Sequence, residues 1–230
     1  MKANFVVLLS CVCVFAVSLL ISNHLETPVL APAIDHNYTL VLDAGHGGED
    51  GGAVSASGNK ESEINLAIVL KIDQLMGFCG VPAVLTRSDD RSIHDASANT
   101  LREKKVSDLH NRVKLVESTD HAVLLSVHQN SFQDPRYSGA QVFYGSADGS
   151  QSWGESTQEL LRIALDAENN RSAKQIPDTV YLMNHISCPA ILVECGFMTN
   201  GEEVALLLTS DYQKRVAAAL AGACLQYFNM

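Results

Sequence analysis

The chain has 230 residues, which is enough for one domain with a substantial buried core. Hydrophobic residues make up 47% of it and charged residues 18%, proportions that exclude a disordered chain. The formal net charge is −10, and the sequence contains no long run of lysines or arginines. We therefore expect no nucleic-acid partner, because phosphate contacts need a basic surface.

The first 23 residues predict that the protein is exported. Residues 5–21 are apolar and uncharged, a run that suits either a signal peptide or a single membrane anchor. No small-residue cleavage site follows closely, which favours the uncleaved anchor. Residues 24–37 contain two prolines and no sustained periodicity, so they are predicted to be a linker. The folded domain is then expected to cover residues 38–230.

From residue 38 onwards, apolar strand patterns alternate with helical ones. This alternation predicts one α/β domain, with a mostly parallel or mixed twisted sheet flanked by helices on both faces. The polar stretch from Ser88 to Lys105 is predicted to be a surface loop. The predicted strands are 38–44, 81–87, 121–128, 140–145 and 189–196, and the predicted helices are 63–78, 108–119, 152–168 and 210–228. In the first of these helices, Ile64, Ile68, Ile72 and Leu75 are expected to share one buried face.

The six cysteines show no metal-binding spacing. Two of them lie in the apolar N-terminal run. The other four are predicted to be structural thiols, with a disulfide between Cys188 and Cys195 as the alternative. These four are Cys79, Cys188, Cys195 and Cys224.

The most unusual segment is LVLDAGHGGEDGGA, residues 40–53, in which an apolar strand stops at Asp43 and five glycines surround His46. Glycine allows positive φ and close approach to the backbone, at an entropic cost. This concentration of glycine predicts that a group binds at the turn. Asp43 is expected either to orient His46 through a hydrogen bond or to end the strand.

Three predicted strands end in polar or ionisable residues, in the segments AGHGG, SVHQNSF and VECGF. Ligands in open α/β sheets bind beyond the carboxyl ends of the strands, so His46, His128 and Glu194 are expected to meet there. Glu194 lies between apolar residues, where an unpaired carboxylate is costly, so it should be paired, protonated or catalytic. Glu61, just ahead of a predicted helix, is expected either to join these residues or to cap the N-terminus of the helix. Two imidazoles and a carboxylate are a zinc ligand set, and a second carboxylate nearby acts as general base.

Together these segments resemble the zinc-dependent N-acetylmuramoyl-L-alanine amidases of the amidase_3 type. DAGHGGEDGGA, G-x-x-E-x-x-x-N-L, SVHQN and LVECGF occur in the family's order between about Thr39 and Tyr227. TRSDD (86–90), NRVKLV (111–116) and FMTN (197–200) extend the match.

The resemblance implies a role for each site residue. It makes His46, Glu61 and His128 the ligands of a Zn²⁺ cofactor and Glu194 the catalytic carboxylate. Glu63 has no matching position in the family pattern and is expected to lie on the surface.

The resemblance also implies a substrate. The expected reaction is hydrolysis of the amide between the lactyl group of N-acetylmuramic acid and the L-alanine of the stem peptide, so the partner is peptidoglycan. Residues 126–146 and 188–197 look most like the germination-specific amidases of spore formers, which implies action on the spore cortex, where muramic-δ-lactam is made. Asn130 and Arg171 are expected either to contact substrate or to be structural. Whether a protein activator is needed stays open.

Three other functions compete with this interpretation. One is a general cell-wall autolysin, and another is an exported zinc peptidase that cuts the stem peptide. The third is a catalytically silent wall-binding protein, which is disfavoured because all four site residues are present.

Overall fold

The computed structural model describes residues 38–229, which contain six strands and six helices. The strands are β1 (Thr39–Ala44), β2 (Val84–Leu85), β3 (Ala122–Asn130), β4 (Gln141–Tyr144), β5 (Lys174–Gln175) and β6 (Ala190–Phe197). The helices are α1 (Glu61–Phe78), α2 (Leu101–Glu117), α3 (Ser150–Leu165), α4 (Tyr181–Asn184), α5 (Gly201–Leu207) and α6 (Ser210–Phe228).

The strands form one mixed sheet in the order β2-β1-β3-β6-β4-β5. All neighbouring strands run parallel except β4 and β6, which are antiparallel. Helices pack on both faces. The predicted fold class is confirmed.

The two faces of the sheet carry separate apolar clusters because side chains alternate along a strand. Leu125 of β3 points to the larger cluster, which α1, α3 and α6 cover. Its neighbour Leu124 points to the smaller cluster, which includes residues of α2 and α4. The larger cluster contains most of the buried apolar residues, and burial of apolar surface is the main favourable contribution to folding.

Helix α2 begins at Leu101, so the predicted loop from Ser88 to Lys105 is wrong over its last five residues. The reason is a capping box at the start of the helix. The Thr100 side chain accepts a hydrogen bond from Glu103 N, and the Glu103 carboxylate accepts one from Thr100 N. This earlier start places Lys105 on the helix instead of in a loop.

The apolar face of α1 is close to the prediction. Ile64, Ile68 and Ile72 are buried as expected, but the next buried position is Met76, and Leu75 is 38% exposed. A spacing of four continues the stripe better than a spacing of three at this point in the 3.6-residue repeat. The short elements β5, α4 and α5 were not predicted because segments of two to seven residues carry too little periodicity.

Two other expectations concern the termini and the thiols. The predicted anchor or signal segment and the linker, residues 1–37, lie outside the described residues. Among residues 38–229, no helix has the length and apolar character needed to cross a membrane. The four cysteines in this part of the chain are free, so the alternative disulfide is wrong.

Candidate active site

Parallel strand register places the predicted residues at one edge of the sheet. His128 of β3 pairs with Glu194 of β6, and two positions earlier Ser126 pairs with Asp43 of β1. Alternation along the strands puts these four side chains on the α2 face. The apolar pattern of each strand therefore delivers polar side chains to a common edge.

His46, Glu61 and His128 come together at that edge. Each offers one ligand atom, and the three atoms lie within 4.8 Å of one another. Glu61 Oε1 is 3.0 Å from His128 Nδ1 and 3.4 Å from His46 Nε2. Two imidazole nitrogens around one carboxylate oxygen are a donor set that suits zinc. The residues present thus fit the metal implied by the sequence.

The Glu61 carboxylate is held by several donors as well as the two histidines. Its Oε2 accepts from Ala53 N at 2.8 Å, and its Oε1 accepts from Gln129 N at 3.1 Å and Asn65 Nδ2 at 3.2 Å. Neither backbone donor belongs to the first turn of α1, so these bonds do not cap the helix. Burial opposes ionisation, but the hydrogen bonds and charges of the two imidazoles hold the pKa of Glu61 far below its usual range.

The glycines around His46 make room for these ligands. A Cβ on Gly45 would overlap the imidazole of His128. A Cβ on Gly52 would come within 2.6 Å of Glu61 Oε2 and would sit at a φ of +67°. His46 itself has a φ of 62°, in the left-handed region that side chains rarely adopt. The turn is therefore shaped around the cluster of His46, Glu61 and His128.

The hydrogen bond that orients His46 is made with Asp50, a residue that no sequence pattern singled out. Asp50 Oδ2 lies 2.8 Å from His46 Nδ1, and Asp50 Oδ1 lies 3.1 Å from Lys105 Nζ. Burial by itself would lower the pKa of His46, but the hydrogen bonds to Asp50 and Glu61 raise it to about 9. A carboxylate behind a metal-ligating imidazole sets its tautomer and orientation.

Asp43 lies in a buried network and does not bond His46. Its carboxylate accepts hydrogen bonds from Thr86 Oγ1 at 2.8 Å, Ser126 Oγ at 2.6 Å and the guanidinium of Arg112. Burial opposes ionisation, yet Arg112 and the two hydroxyls lower the pKa of Asp43 to about 2. Both sequence-based roles of Asp43 are therefore replaced by a buried ion pair.

Glu194 stands beside the cluster without a partner. Its Oε2 is fully buried and accepts no hydrogen bond from the described residues. Desolvation raises the pKa of Glu194 to about 7, with Glu61 adding to the shift and the two histidines opposing it. This carboxyl can exchange a proton near neutral pH, as a general base and acid must.

A cavity of about 220 Å³ adjoins the cluster. Its lining includes His46 and His128, together with Lys105, Leu109 and Tyr181. Such a concave space next to perturbed titratable groups is the expected position of a substrate.

The remaining candidates have structural contacts. Arg171 donates to Ser138 O at 2.7 Å and to Gln141 Oε1 at 3.0 Å, and its guanidinium lies 4.7 Å from the ring centroid of Phe197. Glu63 is exposed, as expected, and its nearest ion-pair partner is Lys60 at 4.0 Å.

Known proteins resemble this chain over nearly the whole described region. The family model for N-acetylmuramoyl-L-alanine amidase of the Amidase_3 type matches residues 40–226. A germination-specific N-acetylmuramoyl-L-alanine amidase of Bacillus subtilis is 33% identical over 192 residues, covering 82% of this chain and 79% of that protein. The amidase AmiA of Escherichia coli is 27% identical over 239 residues, covering 83% and 76% of the two chains.

A solved structure agrees. The CwlD amidase of Clostridioides difficile, in complex with the GerS lipoprotein, superposes with a TM-score of 0.80 at 36% identity, covering 84% of this chain and 99% of that one. The match of fold, segment order and clustered residues leads to one conclusion: the chain belongs to the amidase_3 family of N-acetylmuramoyl-L-alanine amidases.

Proposed function

We propose that this amidase holds one zinc ion on His46, Glu61 and His128, and that Glu194 is the catalytic carboxylate. The observation that carries the proposal is the position of Glu194: a buried, unpartnered oxygen one strand away from a candidate ligand, with a pKa near neutral. A structural carboxylate at this depth would have hydrogen-bond donors.

Zinc bound at such a site lowers the pKa of water towards 7 and polarises a carbonyl group. Glu194 accepts the proton of the attacking water at a carboxylate oxygen and delivers it to the departing alanine nitrogen. Asp50 holds the His46 imidazole through the hydrogen bond at Nδ1, which leaves Nε2 facing Glu61. The scissile bond is the amide between the lactyl group and L-alanine in peptidoglycan.

The test uses the full-length chain, purified in mild detergent and loaded with zinc, acting on purified peptidoglycan. Mass spectrometry should find stem peptides that begin at L-alanine, and chelation should abolish their release. Glu194→Gln should keep its zinc and lose about 10²- to 10⁴-fold in rate. Normal hydrolysis by that variant would show that another group moves the proton, and cleaved stem peptides in place of free lactyl groups would favour a peptidase.

We further propose that the natural substrate is the spore cortex and that the protein acts outside the cytoplasm. The support is the similarity to a Bacillus subtilis amidase named as germination-specific and to CwlD. Deleting the gene from a spore former should then remove muramic-δ-lactam from the cortex and leave the vegetative wall unchanged. Changes in the vegetative wall alone would favour the autolysin role.

The chain is also proposed to work with an exported protein partner, because the CwlD structure is a complex with a lipoprotein. Affinity capture of the full-length chain from sporulating cells tests this. A lipoprotein recovered at comparable abundance supports it. Full activity on cortex by the purified chain, with no lipoprotein captured, contradicts it.

A further inference from the structure

Two buried arginines grip the loop that carries His46. Arg87 is 1% exposed and Arg112 is 2% exposed, although arginine is rarely buried unless it is paired. They belong to the segments TRSDD and NRVKLV, and neither is a ligand or a proton carrier in the proposed site.

The contacts fall on three consecutive carbonyl groups. Arg112 donates to His46 O at 2.8 Å and to Ala44 O at 2.9 Å. Arg87 donates to Ala44 O at 2.9 Å and to Gly45 O at 3.1 Å. Every peptide carbonyl from Ala44 to His46 therefore has a guanidinium donor.

Arg87 also ties this loop to the second ligand segment. The same Nη2 that reaches Gly45 O donates to Ser62 O at 2.8 Å, directly after Glu61 at the start of α1. Arg112 is itself held by Asp108, whose Oδ2 accepts from Nε at 2.7 Å. The two guanidinium groups thus join β1, the glycine loop, α1 and α2.

The backbone conformation of the loop after β1 explains why these hydrogen bonds are needed. His46 has a φ of 62° and Gly47 a φ of 139°, so the chain leaves β1 in a conformation that residues with a Cβ disfavour. Such a conformation persists only where the surroundings over-determine it. A planar guanidinium binds two carbonyls at once, which the single ammonium of lysine cannot do in the same geometry.

We propose that Arg87 and Arg112 are positioning residues that set the backbone of residues 44–46, so that the His46 imidazole meets Glu61 and His128 before metal arrives. The proposal rests on the ligand set of the proposed function. It predicts that replacing either arginine with lysine lowers the zinc affinity by more than the loss of folding stability explains.

The experiment compares full-length Arg87→Lys, Arg112→Lys and Leu220→Ala. Leu220 of α6 is fully buried in the larger apolar cluster and makes none of the hydrogen bonds to residues 44–46, so its truncation should destabilise the protein and leave those bonds in place. Zinc affinity is measured by competition with a chromophoric chelator, site geometry by the visible absorption of Co²⁺, and stability by urea unfolding of the metal-free protein.

Both lysine variants should bind zinc about 10- to 100-fold more weakly, the usual effect of losing support behind a ligand, and should alter the Co²⁺ spectrum. Leu220→Ala should shift the urea midpoint and leave both metal readouts unchanged. Lysine variants that only lose stability, with wild-type affinity and spectrum, would overturn the proposal.

Two further outcomes remain informative. If Arg112→Lys does not fold, Arg87→Lys decides alone, because it leaves the bonds of Arg112 to Asp43 and Asp108 intact. If wild-type protein binds no zinc, or His128→Ala binds it normally, the proposed ligand set is wrong and the positioning role falls with it.

Discussion

The two faces of the central strands differ in a way that explains where the site lies. On the face covered by α1, α3 and α6, strands β3 and β6 stay apolar as far as Val127 and Cys195. On the α2 face the same strands carry Leu124 and Ala190 in their first half, but His128 and Glu194 towards their ends. Apolar packing therefore continues further along both strands on the first face than on the α2 face, where it stops at Leu124 and Leu192.

This division lets the carboxyl end of the sheet hold polar groups that are costly to bury. Nearly all of them are satisfied: Asp43 by three donors, and the carbonyls of the glycine loop by two arginines. Glu194 Oε2 is an exception. Asp43 therefore stabilises the protein, whereas the unpaired carboxylate of Glu194 lowers its stability.

Substitutions at two neighbouring residues of β3 test most directly whether the two faces of the sheet have separate roles. His128→Ala should abolish zinc binding and hydrolysis while leaving the fold intact, because it removes a proposed ligand that is one-fifth exposed. Val127→Ala should instead cost roughly 1–3 kcal/mol of unfolding free energy, from lost burial and a cavity, and keep wild-type zinc affinity. Chelator competition and urea unfolding measure the two effects. Loss of zinc in both variants would mean that the faces are not independent.

Asp43 tests whether the buried polar network contributes stability. Asp43→Asn leaves the Arg112 charge without one of its partners, so it should cost about 3–5 kcal/mol of unfolding free energy at pH 7. In the wild type the pKa of Asp43 falls from 3.8 to about 2 on folding, so its ionised form stabilises the protein above pH 4. That contribution, on the order of 2 kcal/mol, is lost as the pH falls through 2. The gap between the two proteins should therefore narrow below pH 4; a constant gap would contradict the ion pair.

The ionised carboxylate of Glu194 should lower the unfolding free energy, whereas that of Asp43 raises it. Folding raises the pKa of Glu194 from 4.5 to about 7, so the folded protein keeps a proton that the unfolded chain has lost. Its ionisation in the folded state costs on the order of 3 kcal/mol above pH 7, and this cost disappears below pH 4.5. Metal-free Glu194→Gln should thus be more stable than wild type at pH 8 and similar to it at pH 4.

Urea unfolding at the two pH values, with a chelator present, measures this difference. Zinc should reduce the gain, because a nearby cation favours the ionised carboxylate. If Glu194→Gln were less stable at both pH values, the carboxylate would have a stabilising partner, and its role as proton carrier would lose its main support.

Much of the site could be predicted because its chemistry is concentrated where strand patterns stop. His46, His128 and Glu194 each follow an apolar run, and the resemblance to the family pattern G-x-x-E-x-x-x-N-L singled out Glu61. The structure brings the three proposed ligands within 4.8 Å and places Glu194 next to His128.

The supporting residues could not be predicted in the same way. The bond from Asp50 to His46 depends on the left-handed turn between them, which a glycine-rich sequence permits but does not specify. Arg112 reaches its carbonyls from 66 and 68 positions away, through the side of α2 that faces the sheet. The start of α2 was predictable, since the Thr100–Glu103 spacing is that of a capping box.

The smallest expected effect comes from a pair of glutamates two residues apart at the start of α1. Glu63→Gln should change unfolding free energy by less than about 0.5 kcal/mol and leave zinc affinity unchanged, because Glu63 is exposed and only distantly paired with Lys60. Glu61→Gln makes the same chemical change but removes a proposed ligand charge that bonds both imidazoles, so it should lose zinc. Zinc titration of both variants checks this. Two residues along a helix differ in direction by about 200°, so Glu61 and Glu63 point to nearly opposite sides of α1. Equal loss of zinc affinity in the two variants would show that negative charge near the helix start matters more than the direction of the carboxylate.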